Sequence, residues 1–135
     1  MPNNLDVMLS VSLNRATTPW SLHVDDSNHP NYLNPGPNPQ GIVWTLMGEA
    51  ATGSFLPLLG PELGFAWVGI QPRTSIFDTP FLPANNQLKV LDHHTGPDTA
   101  GTWAYILRAR IGGTVYSTTA LSAAAQNTNP RIKNN

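Results

Sequence analysis

Cysteine is absent from the 135 residues. That excludes disulfides, thiolate nucleophiles and Cys-ligated zinc together, and a reducing, cytoplasmic setting is expected. Charge is scarce as well. Asp, Glu, Lys and Arg make up 11% of the chain, with a formal net charge of −1 and no basic run, against about 25% charged residues in an ordinary domain. Nucleic-acid binding depends on neutralising phosphates, and the residues for that are missing, so no nucleic-acid partner is expected. No apolar run approaches the ~18 residues of a membrane-spanning helix, so no membrane partner is expected either. The segment Met1-Pro2-Asn3-Asn4-Leu5-Asp6 has no basic stretch leading into an apolar one, which argues against a secretory leader. Gly-x-Ser-x-Gly, Walker-type and dinucleotide-binding glycine patterns are also absent, and with them goes the expectation of a cofactor.

What remains is a chain that is 40% hydrophobic, enough for a packed core. Its length fits one domain over residues 1–135. Asn, Thr, Ser and Gln supply most of the polarity. Such a surface repels itself weakly; a homo-oligomer is expected from it, though a low-charge monomer is equally allowed. Thirteen prolines and eleven glycines are spread along the chain. Proline lacks an N–H and clashes with the preceding helical turn, so short strands and long connections are expected and long helices are not.

Leu5, Val7, Leu9, Val11 and Leu13 alternate with Asp6, Met8, Ser10, Ser12 and Asn14. Successive side chains of a strand point to opposite faces, so this segment has one aliphatic face and one mostly polar face. Trp20, Leu22 and Val24 repeat the pattern in a second strand able to pair with the first. Residues 41–47 are apolar on both faces, as a central strand requires. Residues 65–70 and 87–91 read as further strands, with Leu88 and Val90 inward. Residues 102–111 form the other long strand, placing Trp103, Tyr105, Leu107, Ala109 and Ile111 on one face. Gly112-Gly113 follows, and two glycines accept the positive φ angles of a type I′ turn, so residues 114–118 return as a hairpin. Residues 25–40, 49–64 and 71–86 read as long loops, the first and last rich in proline; residues 54–59 fit a short helical turn or an irregular apolar plug. Residues 120–125 are helix-prone but too short for a helix to stand alone. Ile132 anchors a final edge strand.

About seven or eight short strands with one oily face imply an all-β, immunoglobulin-like Greek-key β-sandwich, with a closed barrel as the rival. Asp98, Gly101, Trp103 and Tyr105 resemble the corner of immunoglobulin-type domains, with Trp103 in the place of the corner tyrosine. The order of motifs from Ile42 onward also resembles the DP-EP family of small bacterial proteins. It runs Ile42-Val43-Trp44-Thr45-Leu46, Phe65-Ala66-Trp67-Val68-Gly69, Lys89-Val90-Leu91-Asp92, Trp103-Ala104-Tyr105 and the tail Asn129-Pro130-Arg131-Ile132-Lys133-Asn134. A similar tail occurs in bacterial inclusion-body proteins. Asn129 stands where that family has Asp, and residues 120–128 are extra. The resemblance implies a compact β-sandwich and brings no catalytic residues with it.

Two groups of residues are candidates for chemistry. Asp92, His93 and His94, with Asp98 nearby, combine a carboxylate with imidazoles, a set able to hold zinc, copper or nickel. Adjacent residues of a strand point apart, so one ion reaches both imidazoles only if the backbone turns; otherwise the cluster is a polar turn. His23 and His29 join it only if the fold brings them there. The second group is Trp67 and Tyr116, with Arg108 and Arg110 beside them, an aromatic platform for a sugar ring or a partner if that face is exposed and plain core and solvated surface if not. Trp20, Trp44 and Trp103 read as core. The expected function is therefore non-enzymatic binding or self-assembly. A carbohydrate- or small-ligand-binding module is the alternative, and a metal-dependent enzyme around Asp92, His93 and His94 comes third.

Overall fold

The computed structural model describes residues 7–16, 20–25, 32–33, 35–36, 38–60, 62–118 and 130–134. Within them lie eleven strands: β1 Val7–Asn14, β2 Ser21–Asp25, β3 Tyr32–Leu33, β4 Gln40–Leu46, β5 Ser54–Phe55, β6 Phe65–Val68, β7 Phe81–Ala84, β8 Gln87–Asp92, β9 Gly101–Ile111, β10 Thr114–Ser117 and β11 Arg131–Asn134. They form two sheets. The first runs β2-β1-β4-β8-β7. The second is built on β9, which carries β11 and β10 along one edge and β6 and β5 along the other, with β3 parallel to β11 outside it. β1 and β4 run parallel and the other pairs of the first sheet antiparallel. The sheets face each other as a sandwich; among the described residues β2 and β7 stand at the edges of the first, and the strands form no closed barrel.

The alternation along the chain explains the packing. Leu9 and Val11 of β1, Leu88 and Val90 of β8, and Tyr105, Leu107 and Ala109 of β9 are all buried. β4 lies between β1 and β8, and its residues from Gly41 to Trp44 are buried in succession on both faces. The β9–β10 hairpin turns on Gly112 and Gly113 with φ of 59° and 86°, the type I′ conformation.

Several elements differ from the sequence expectation. Phe81–Ala84 is an edge strand inside the expected 71–86 loop, irregular in register against β8. Its apolar pattern is hidden because Phe81 faces solvent and Pro83 interrupts the run. Ser54–Phe55 extends alongside β9, and Phe55 and Leu56 plug the core without a helical turn. β11 is not an edge, since β9 and β3 flank it. Trp20 is 42% exposed; it stacks on Tyr116 at 6.4 Å and carries the Arg15 guanidinium 4.6 Å from its ring centre. Leu5, His29 and residues 120–128 lie outside the described residues.

The centre of the core is aromatic. Trp44 of β4 and Tyr105 of β9 meet edge to face at 5.1 Å, and the buried Trp44 Nε1–H donates to the Tyr105 hydroxyl at 3.0 Å. Phe65 stacks on Tyr105 at 5.5 Å and meets Trp67 at right angles at 4.9 Å; Phe77 then links Trp67 to Trp103. Trp103 lies over Gly101, where an added Cβ would stand 2.8 Å from the indole at a φ of +153°. So glycine is needed there both for the ring and for the backbone. Replacing Tyr105 by Phe leaves a buried indole N–H without an acceptor, and Tyr105→Phe is expected to lower unfolding stability by about 1–3 kcal/mol. In urea titrations the double change Trp44→Phe with Tyr105→Phe should cost less than the sum of the single changes, because it removes both halves of the bond.

Candidate functional site

β8, β9, β11 and β4 all bring a terminus to one end of the sandwich. There Asp92 closes β8, Gly101 opens β9, Asn134 closes β11 and Gln40 opens β4. The connection from β8 to β9, residues 93–100, bends over this end. The bend is held by Thr99, whose hydroxyl oxygen lies 2.7 Å from His94 Nδ1, accepts from the Thr95 N–H at 3.2 Å, and donates to the Gly96 carbonyl at 2.9 Å.

The four residues Asp92, His93, His94 and Asp98 do not converge. Asp92 points inward and is fully buried. Asn134 Nδ2 donates to Asp92 Oδ1 at 3.0 Å and to the Thr99 carbonyl at 2.9 Å, tying the two sheets together. His94 is buried against Thr99. His93 turns the other way, its Nε2 2.9 Å from Asp78 Oδ2. Asp98 is exposed, and its backbone carbonyl accepts from the Arg73 guanidinium. His23 is exposed on β2, on the far side of β1 and β4 from β8. Among the described residues no group of three or more His, Cys, Asp or Glu side chains is placed to hold a metal ion. The cause is the strand geometry itself: consecutive residues leave the backbone on opposite faces. Burial pushes the Asp92 carboxyl up from 3.8 to about 6, while the Asn134 amide and the neighbouring His94 and His93 pull it down.

The aromatic group is also divided. Trp67 pairs in register with Tyr105, and Tyr116 with Ala109, so both face inward, but from opposite edges of β9. Arg108 and Arg110 alternate with those inward residues and take the outward face, where their guanidinium groups donate to the Leu63 and Gly113 carbonyls.

What the structure does assemble is a cleft of about 320 Å³, at the lower end of the range of small-ligand sites. Trp67 and Phe77 supply its apolar wall, 4.9 Å apart and tilted by 49°. Gln71, Arg73, Thr74 and Asp78 supply polar groups. The wall is fixed to the strand end behind it. Phe77 bridges to Asp92, the His93 N–H donates to the Ile76 carbonyl at 2.7 Å, and the Asp78 N–H donates to the Leu91 carbonyl at 3.0 Å. The 71–80 stretch therefore contributes most of this site. The sequence reads there as a proline-rich connection; the signal was the apolar pair Ile76-Phe77 between Ser75 and Asp78, in a segment with no periodicity.

Compared with protein-family models and with curated proteins, the chain matches none. Among the described residues no helix is long and apolar enough to cross a membrane. Thr99→Val keeps the shape of the side chain but removes the hydroxyl that His94 Nδ1, the Thr95 N–H and the Gly96 carbonyl share. It is expected to destabilise the protein by about 1–3 kcal/mol in chemical unfolding, and Thr99→Ser by much less.

Proposed function

We propose that this protein is a non-enzymatic binding module, and that its ligand is a small ring-bearing molecule, a sugar, lying in the cleft against Trp67. The observation that carries this reading is the composition of the cleft: an aromatic wall of Trp67 and Phe77 beside Gln71, Arg73, Thr74 and Asp78. A pyranose has an apolar C–H face and a hydroxyl rim. The first suits an aromatic ring and the second suits amide, hydroxyl and carboxylate groups held in place. Asp78 is held by His93, and Arg73 by the Asp98 carbonyl, so both are positioned before a ligand arrives. Preorganisation of this kind reduces the ordering cost of binding.

Self-association is the second part of the proposal. Leu59 and Ile70 are each 87% exposed, and Met8, Met47 and Phe81 are exposed as well. With so few charges on the chain, little opposes contact between copies. A bacterial, cytoplasmic β-sandwich related to the DP-EP proteins is consistent with this picture. The tail that resembles that family's has defined work here: the Pro130 carbonyl accepts from the Tyr105 N–H, Ile132 fills the core, and Asn134 holds Asp92.

Calorimetric titration with a panel of neutral oligosaccharides is expected to detect binding. Trp67→Phe and Asp78→Asn should each weaken it about tenfold, some 1.4 kcal/mol. A panel with no heat above dilution would remove the carbohydrate reading. Light scattering at high protein concentration is expected to give a mass above one chain, and a strict monomer would remove the assembly reading.

A further inference from the structure

Asp92 and Asn134 leave one oxygen each without a partner. Asn134 Nδ2 donates to Asp92 Oδ1, while Asp92 Oδ2 and Asn134 Oδ1 are both buried and unsatisfied. A buried acceptor without a donor is costly, and two on side chains already bonded to each other call for one explanation. A carboxylic acid and a carboxamide solve this geometry as a cyclic pair: the amide N–H donates to one carboxyl oxygen, and the acid O–H donates back to the amide oxygen. The two orphaned atoms here are the two that the returning bond would join.

A hard cation is the competing explanation. It needs about six oxygen ligands. The unsatisfied buried side-chain oxygens among the described residues number three, the third being Gln40 Oε1 across the sheet from Asp92, and the Asn134 N–H donor stands among them. A single proton satisfies two of the three and needs no space.

We propose that in mildly acidic solution the folded protein holds Asp92 as the neutral acid, with Oδ2–H donating to Asn134 Oδ1, and that this proton locks the two sheets at the end carrying the cleft wall. Its loss leaves a carboxylate in the core and two acceptors facing each other. The bridge from Asp92 to Phe77 passes the resulting loosening to the wall of the cleft. The inference stands whether or not the cleft binds sugars.

The charged surroundings agree. β11 and β4 present Asn134 and Gln40 to Asp92, both uncharged, while Arg131 and Lys133 of β11 are exposed on the opposite face. His94 and His93 are the titratable neighbours, and each favours the carboxylate when protonated; beyond them lie Asp78, paired with His93, and Asp98, whose carbonyl is taken by Arg73. The carboxyl sits at about 6 in the folded protein and at 3.8 in the reference state. Between these values the native state binds more protons than the unfolded one. Stability from this group is therefore complete below the lower value and lost as pH rises through the upper one.

Asp92→Asn replaces the acid with a permanent mimic, since its amide donates to Asn134 Oδ1 without titrating. Urea unfolding of both proteins between about pH 4 and about pH 7.5 compares a protein that carries the Asp92 carboxyl with one that lacks it. The expected result is a wild-type folding constant that falls, relative to the variant, by on the order of a hundredfold across that range. The variant should be the more stable protein near neutral pH. Identical pH profiles, or a variant less stable than wild type at neutral pH, would overturn the proposal. The carboxyl-carbon chemical shift of Asp92 in the wild-type protein gives a second readout that needs no variant. It should move with a midpoint near 6, and a shift already at its ionised position at about pH 4.5 would overturn the proposal equally.

Discussion

The contact between Trp44 and Tyr105 sets the geometry of the whole sandwich. One ring comes from the central strand of the first sheet and the other from the long strand on which the second is built. Their hydrogen bond, buried between the sheets, can form only if strands β4 and β9 keep one spacing and one register. A buried indole N–H without an acceptor is expensive, so the bond selects against other packings more than it adds to stability. From it the ring contacts run through Phe65 to Trp67, Phe77 and Trp103, reaching from mid-core to the end of the sandwich. The cleft is where that aromatic chain meets solvent. Its wall is therefore an extension of the core, which gives a binding surface rigid support.

The same end of the molecule holds the second contact between sheets, Asp92 with Asn134. The two contacts differ in kind. The aromatic one has its donor and acceptor matched. The polar one has spare acceptors and a carboxyl whose burial disfavours its charge. A protein without disulfides, and with few ion pairs available, has placed a group sensitive to pH where the last strand closes the fold. Since the segment from Ile76 to Asp78 is hydrogen-bonded to the end of β8, at Leu91 and His93, the state of the buried carboxyl and the shape of the cleft share one mechanical support.

Much of the architecture was legible in the chain. The alternation of Val7, Leu9 and Val11 with Met8 and Ser10, and of Tyr105, Leu107 and Ala109 with Ile106, Arg108 and Arg110, marks a half-buried strand because the pleat has a period of two. Gly112-Gly113 marks a hairpin because few other residue pairs accept its dihedral angles. Phe81–Ala84 and Ser54–Phe55 were not legible as strands, since they are short, interrupted by proline or paired over too few residues to show a period. The candidate site was legible in part. Asp92, His93 and His94 do mark a special position, yet as three separate roles: a buried link between sheets, a partner for Asp78 and a support for Thr99. Trp67 belongs to the cleft, whereas Tyr116, Arg108 and Arg110 belong elsewhere.

The sequence by itself determined the class of fold, the faces of its long strands and its lack of disulfides, because periodicity, glycine dihedrals and the lack of thiols are properties of the chain read locally. Only the tertiary structure decided that β1 lies parallel to β4, that residues 71–80 wall a cleft on Trp67, and that Asp92 meets Asn134. Those facts join residues far apart in the chain. They follow from how two twisted sheets settle on a shared aromatic core, which no local pattern encodes.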